Sequence, residues 1–180
     1  MPLKPITRTY SLSFAFSGIE RALQESFGRW QFGFADQQAV LAHFGNDPPA
    51  CVYCGSMDVR RWDHLVAVMV GGETVVGNLV PACQPCDDSK QHRPYAEWMR
   101  HPKRVREDTE ARIARLVAYV SHFGYEVVAL EKRVDADTLD TIESIRRRLK
   151  DLRREAEEAL ANAKFIWSVP EPAPRDEKPR

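Results

Sequence analysis

Apolar positions along the chain change period several times, and each change predicts an element. Tyr10, Leu12, Phe14 and Phe16 alternate with other residues, which predicts one short strand. Ser17 followed by Glu20 reads as a capping box, and Ile19, Leu23 and Phe27 then recur at helical spacing as far as Gly28. A second helix is predicted over Ala35 to Phe44, with Val40, Leu41 and Phe44 on one face and Gly45 as its stop. Asp47-Pro48-Pro49 then forces an extended connection. Beyond Asp108, Ile113, Leu116, Val117, Val120 and Phe123 form a helical stripe closed by Gly124. Ile142, Ile145, Leu149, Leu152, Ala156 and Ala159 continue in steps of three and four, a seam suited to a helical hairpin or to an arm joining two copies. The tail from Pro170 to Arg180 holds four prolines among many charges and is expected to be disordered. These shifts divide the chain into a mainly helical cap (1–50), a central module (51–104), a helical extension (105–169) and a tail (170–180).

Composition narrows the class. Apolar residues make up 43% and charged residues 29% of the 180, enough to bury a core and unlike a disordered chain. The longest apolar run, Leu65 to Val70, is six residues against roughly 18 for a membrane span. No basic stretch followed by an apolar segment marks the start, so a cytoplasmic protein is expected. The 26 basic residues are balanced by 26 acidic ones, so any contact with phosphate must be local.

All four cysteines fall in the central module, as Cys51-Val-Tyr-Cys54 and Cys83-Gln-Pro-Cys86, with 28 residues between the pairs. One such pair alone could be redox-active or simply buried. Two matched pairs supply the four thiolates of a tetrahedral zinc site with no open position, so the metal is expected to fold the region rather than to catalyse.

Between and after the pairs stand Arg61-Trp62-Asp63-His64, Gly71-Gly72-Glu73-Thr74, Asn78-Leu79-Val80 and Asp87-Asp88-Ser89-Lys90. This order of an Asp-His pair, a Gly-Gly-x-Thr turn, an Asn-Leu-Val strand entering Cys-x-x-Cys and a Lys resembles the zinc-bearing branch of the HNH endonucleases. Pro94-Tyr95-Ala96-Glu97-Trp98 is similar to the helix that closes that module. The resemblance covers roughly residues 51 to 100. It implies an α+β fold of the ββα-metal (HNH, His-Me finger) type, flanked by N-terminal and C-terminal helices. Asp63 and His64 would lie on one strand, Asn78 would open the second, and a helix would begin near Asp87.

The resemblance further implies His64 as general base, Asp63 as a ligand of a catalytic divalent ion, and Asn78 as the residue holding the loop that orients His64. General chemistry agrees. An imidazole accepts a proton from water at neutral pH, and magnesium or manganese takes one or two carboxylates plus substrate phosphate, for which Asp63 and Asp87 serve. Alternation places Asp63 and His64 on opposite faces of their strand, unless a bulge or the loop brings both to the site. Where family members carry Asn or His, this chain has Asp87, which strengthens binding of a hard cation and predicts a steep metal requirement, or else a degenerate site. Asp88 with His92 is a rival ligand pair. Lys90 is a candidate phosphate contact, whereas Tyr95, Trp98 and Met99 read as core packing, and His43 and His101 as structural. The run Arg146 to Arg154 suits either a duplex backbone or a charged helix exterior. The function these readings imply is a metal-dependent endonuclease acting on nucleic acid, most naturally double-stranded DNA, in restriction or phage defence, with a homodimer through the C-terminal helices. The alternatives are a nuclease acting on RNA, a zinc-dependent nucleic-acid-binding protein without turnover, and a scaffold.

Overall fold

The computed structural model describes residues 11–45 and 48–163. Its elements are α1 (Leu12–Glu25), β1 (Trp30–Gln31), α2 (Phe34–Phe44), β2 (Val59–His64), β3 (Thr74–Val75), β4 (Leu79–Cys83), α3 (Gln84–Lys90), α4 (Tyr95–Arg100), α5 (Thr109–His122) and α6 (Ala136–Ala161). The predicted tail from Pro170 lies outside the described residues.

β2 and β4 form the antiparallel hairpin of the ββα unit, pairing Asp63 with Val80 and His64 with Leu79. The chain passes from β4 straight into α3, with Pro85 in its first turn, where the missing N–H costs nothing. α3 begins three residues earlier than Asp87 and packs back on both strands. α5 closes the other side. Its Tyr119, fully buried, donates to the Leu79 carbonyl at 2.7 Å and accepts from the Gly77 N–H at 2.9 Å, clamping the start of β4. The core forms where α2 (Val40, Phe44), α4 (Trp98, Met99) and α5 (Ile113, Leu116) meet β4 and three of the cysteines. Trp98 and Met99 are therefore packing residues, as their spacing predicts.

A second pairing escapes sequence reading. β1 lies parallel to β3, with Trp30 opposite Thr74, although each strand has two residues. Charge holds it: Arg29 grips Glu73 through Nη2 at 2.7 Å, Nε at 3.1 Å and its own backbone N–H at 2.9 Å. Burial pushes the Glu73 carboxyl up, but Arg29 and Arg133 outweigh it and hold it below the usual range.

The beginning of the described chain departs from expectation. The predicted strand through Leu12 and Phe16 is helix, because Ser11 caps it by accepting from the Phe14 N–H at 3.1 Å. Ser17 and Glu20, read as a cap, lie inside α1, which ends at Glu25 rather than at Gly28. The helix survives because it has a partner: α1 runs antiparallel to α6, Arg153 donating to the Ser13 hydroxyl at 2.7 Å while Arg146 donates to Gln24. Ile142, first of the predicted seam, is buried, whereas Ile145 and Leu152 remain exposed. α2 and α5 lie where predicted, ended by Gly45 at φ 63° and followed by Gly124 at φ 60°.

Gly72 marks the tightest backbone approach. A Cβ there would stand 1.7 Å from the Val66 carbonyl oxygen, inside the loop between β2 and β3. Gly72→Ala is expected to cost about 3 kcal/mol of stability, since backbone rather than a flexible side chain must move. Urea unfolding of the variant beside Gly45→Ala, which meets nothing within 4 Å but is strained at φ 63°, separates steric from conformational cost.

Candidate active site and metal centre

Two tight turns bring the cysteines together. The Cys51–Gly55 turn precedes β2, and Cys83 and Cys86 lie at the β4–α3 junction. Their four Sγ atoms all lie within 4.8 Å of one another, with Cys54 and Cys83 at 3.6 Å. A tetrahedron with zinc–sulfur bonds of ~2.3 Å has edges of ~3.8 Å, so the cage fits zinc without rearrangement. The thiols cannot ionise alike. A hydrogen bond from Cys86 holds Cys51 down to about 4, the same bond pushes Cys86 up, and burial raises Cys83. Such crowding of sulfur is relieved by a cation.

On the far side of α3 an open cleft of about 470 Å³ is bordered by β2, α3 and the α1 residue Arg21. His64 enters it from the end of β2. Its Nε2 lies 3.0 Å from the Thr74 hydroxyl, and no described residue hydrogen-bonds Nδ1. Burial, reinforced by the charges of Arg21 and Lys90, brings the His64 pKa down to about 4, so the imidazole is neutral at physiological pH. Asn78 pins the loop above it. Fully buried, it accepts from the Val66 N–H at 2.8 Å and donates to the carbonyls of Val66 and Glu73 at 3.0 and 2.8 Å.

Asp63, one residue earlier on β2, is buried yet also lines the cleft, so both members of the Asp-His pair border it. It accepts from the Tyr53 hydroxyl at 2.7 Å, and Lys90 Nζ stands 3.2 Å from the same oxygen and 3.3 Å from the other. Burial raises its pKa, against the opposing pull of Lys90 and Tyr53; Asp87 adds to the rise as a like charge, which places the two carboxylates within electrostatic reach.

The structure corrects the expectation for Lys90. It is fully buried beneath the site and donates to the His64 carbonyl at 2.7 Å as well as to Asp63, so it braces the Asp-His pair from below and offers nothing to solvent. Asp87 borders the cleft, where Arg61 donates to it at 2.8 Å and to Asp88 at 2.6 Å. The rival pair of Asp88 and His92 loses its shared helix face, because α3 ends at Lys90 and Gln91 turns to φ 55°. Tyr53, Arg61 and Thr74 are the site residues that sequence reasoning passed over. Only Arg61, two residues before Asp63 on the same strand face, carried a local signal.

The donor set fits a hard divalent ion. Asp87 and Asp63 both line the cleft, and a magnesium-type site takes two carboxylates and leaves positions for water and phosphate. Residues 51–93 match the family model of HNH endonuclease. That segment, about a quarter of the chain, is similar to the HNH endonuclease domain, and the four-cysteine cluster is consistent with the zinc-bearing branch. No curated protein and no solved structure matches the chain. Among the described residues no helix is long and apolar enough to cross a membrane.

Proposed function

We propose that the protein is a divalent-metal-dependent endonuclease that hydrolyses phosphodiester bonds, with double-stranded DNA as its substrate. The observation that carries this reading is His64: a neutral imidazole at the mouth of a cleft, one nitrogen fixed by Thr74 and the other without a hydrogen-bond partner among the described residues, with the carboxylate of Asp87 lining the same cleft. With Nε2 held, Nδ1 accepts the proton of a water attacking phosphorus in line, and the bond to the leaving oxygen breaks as the new one forms. A divalent ion held by Asp87 and Asp63 would neutralise the phosphate and the charge developing on the leaving oxygen. Asn78 keeps the imidazole in place through the loop, and Lys90 does so through the His64 carbonyl. Arg61 is the guanidinium nearest the carboxylates, positioned to meet a non-bridging phosphate oxygen once a metal ion takes over Asp87.

The test is conversion of supercoiled plasmid with magnesium or manganese, comparing the intact chain with His64→Ala at equal zinc content. Loss of the base is expected to lower the rate by about 10²–10⁴-fold. Equal rates in both proteins would remove His64 from the chemistry. Absence of cleavage by the intact chain, on duplex and on single-stranded RNA alike, would leave a binding module. A linear product in place of open circles would fit two copies joined through α6.

A further inference from the structure

We infer that the loop following α4, carrying Lys103, Arg104 and Arg106 beside the cysteine cluster, is a second contact for the phosphodiester backbone of the nucleic acid, reached across α3 from the cleavage cleft; the inference rests on the nuclease reading. Other cations around the cleft and β2 already have partners, Arg93 in the carbonyls of Ser89 and Lys90. Arg61 is held by Asp87 and Asp88, Arg60 by Asp58, Arg21 by Glu25, and Lys90 by Asp63. Lys103, Arg104 and Arg106 are exposed and form no ion pair within 4 Å among the described residues, Arg106 acting on Asp108 only at longer range. From His101 to Arg106 the loop contains no acidic residue; Glu107 follows, and Asp108 is taken up by Arg112.

The loop is set in advance. Arg104 and Val105 donate their N–H groups to the His101 carbonyl at 2.7 and 3.0 Å, and the Arg106 N–H bonds the Thr109 hydroxyl at 2.7 Å. Arg106 Nη1 reaches the Cys54 carbonyl at 3.1 Å, tying the loop to the metal turn. Arg104 lies over the Trp98 ring, 5.0 Å from its centre, an arrangement that leaves the N–H edge of a guanidinium free. Beneath these three cations is a cavity of about 420 Å³ that no acidic side chain lines.

Its position relative to the cleft decides the ligand. α3 turns Asp87 toward the cleft and Pro85 and Cys86 toward the loop cavity. The two sites are thus separated by the width of one helix, ~10 Å, which is about three base steps at ~3.4 Å each. One strand whose scissile phosphate lies at His64 carries further phosphates to the loop.

The rival explanation is that the three cations only balance the negative charge of four thiolates around zinc. Binding of a fluorescent 20-base-pair duplex to the intact, zinc-loaded chain, with no other divalent ion added and over a range of salt, separates the two. Each phosphate contact contributes about 0.9 to the slope of log affinity against log salt. Lys103→Gln with Arg104→Gln is therefore expected to lower that slope by about 1.8 and the affinity at 0.1 M salt by roughly 50-fold. Lys103→Gln alone, which leaves the Trp98 stack intact, is expected to lower the slope by about 0.9. The same charge change at Arg147 and Arg148 is expected to leave the slope where it was. An unchanged slope in the loop variants, with or without loss of zinc, overturns the inference, and so does an equal drop in the Arg147 and Arg148 control. If plasmid is cut while the loop variants bind like the intact chain, only the loop assignment fails. If the intact chain neither binds nor cuts, the nuclease reading fails and the loop assignment with it.

Discussion

Stripping zinc from the four-cysteine cluster with a tight chelator is expected to unfold the central module rather than merely to silence it. The cluster joins the turn before β2 to the junction of β4 and α3, and Cys51, Cys83 and Cys86 are themselves core residues packed with Val80, Ala82, Trp98 and Leu116. Zinc binding to such sites is worth about 10–16 kcal/mol at neutral pH, whereas a domain of this size is stable by about 5–15 kcal/mol in all. The metal therefore decides whether the hairpin exists. Circular dichroism and amide exchange on chelation are expected to show loss of protection in β2, β4 and α3, restored by zinc. Cys83→Ser is expected to reproduce the loss at ordinary zinc concentrations. A melting curve unmoved by complete removal of the metal would show that the core suffices alone.

Lys90→Met is expected to be the most damaging single change outside the cage, at about 3–5 kcal/mol. The ammonium is fully buried and serves the Asp63 carboxylate and the His64 carbonyl together. Removing it leaves a buried carboxylate with the Tyr53 hydroxyl as its remaining protein donor. The size of the effect comes mostly from that stranded charge, so Lys90→Met combined with Asp63→Asn is expected to be less destabilised than Lys90→Met alone. Urea unfolding of the two single variants and the double variant completes the cycle. Additive losses would mean that the two side chains do not depend on one another.

How much of this was legible beforehand differs from residue to residue for physical reasons. Each cysteine pair sits on one turn, so two matched pairs predict a four-sulfur site, whereas alternation left open whether Asp63 and His64 share the cleft. The ββα order was implied by the family resemblance those motifs carry, and the hairpin register places Asp63 and His64 opposite Val80 and Leu79. Lys90 was misread because a lysine in a short helix is ordinarily solvated. Its partner lies 27 residues away on β2, and only the packing of α3 against that strand buries it. Ser11 and Ser17 are equally good caps by residue type, and the choice between them falls to α6, far along the chain, whose face α1 must meet. β1 and β3 offer no periodicity in two residues each; the ion pair of exposed Arg29 with buried Glu73 defines them instead.

The antiparallel pairing of α1 with α6 also orders events in time. The first described helix finds its partner in the last, so during synthesis the cysteine cage can close around its metal while α1, with Arg21 on the wall of the cleft, is still waiting for a face to rest on. A chain still attached to the ribosome would thus bring His64, Asp63, Asp87 and the four cysteines together before it holds a finished cleft. The last of the described helices supports the cleft without contributing a side chain to its lining.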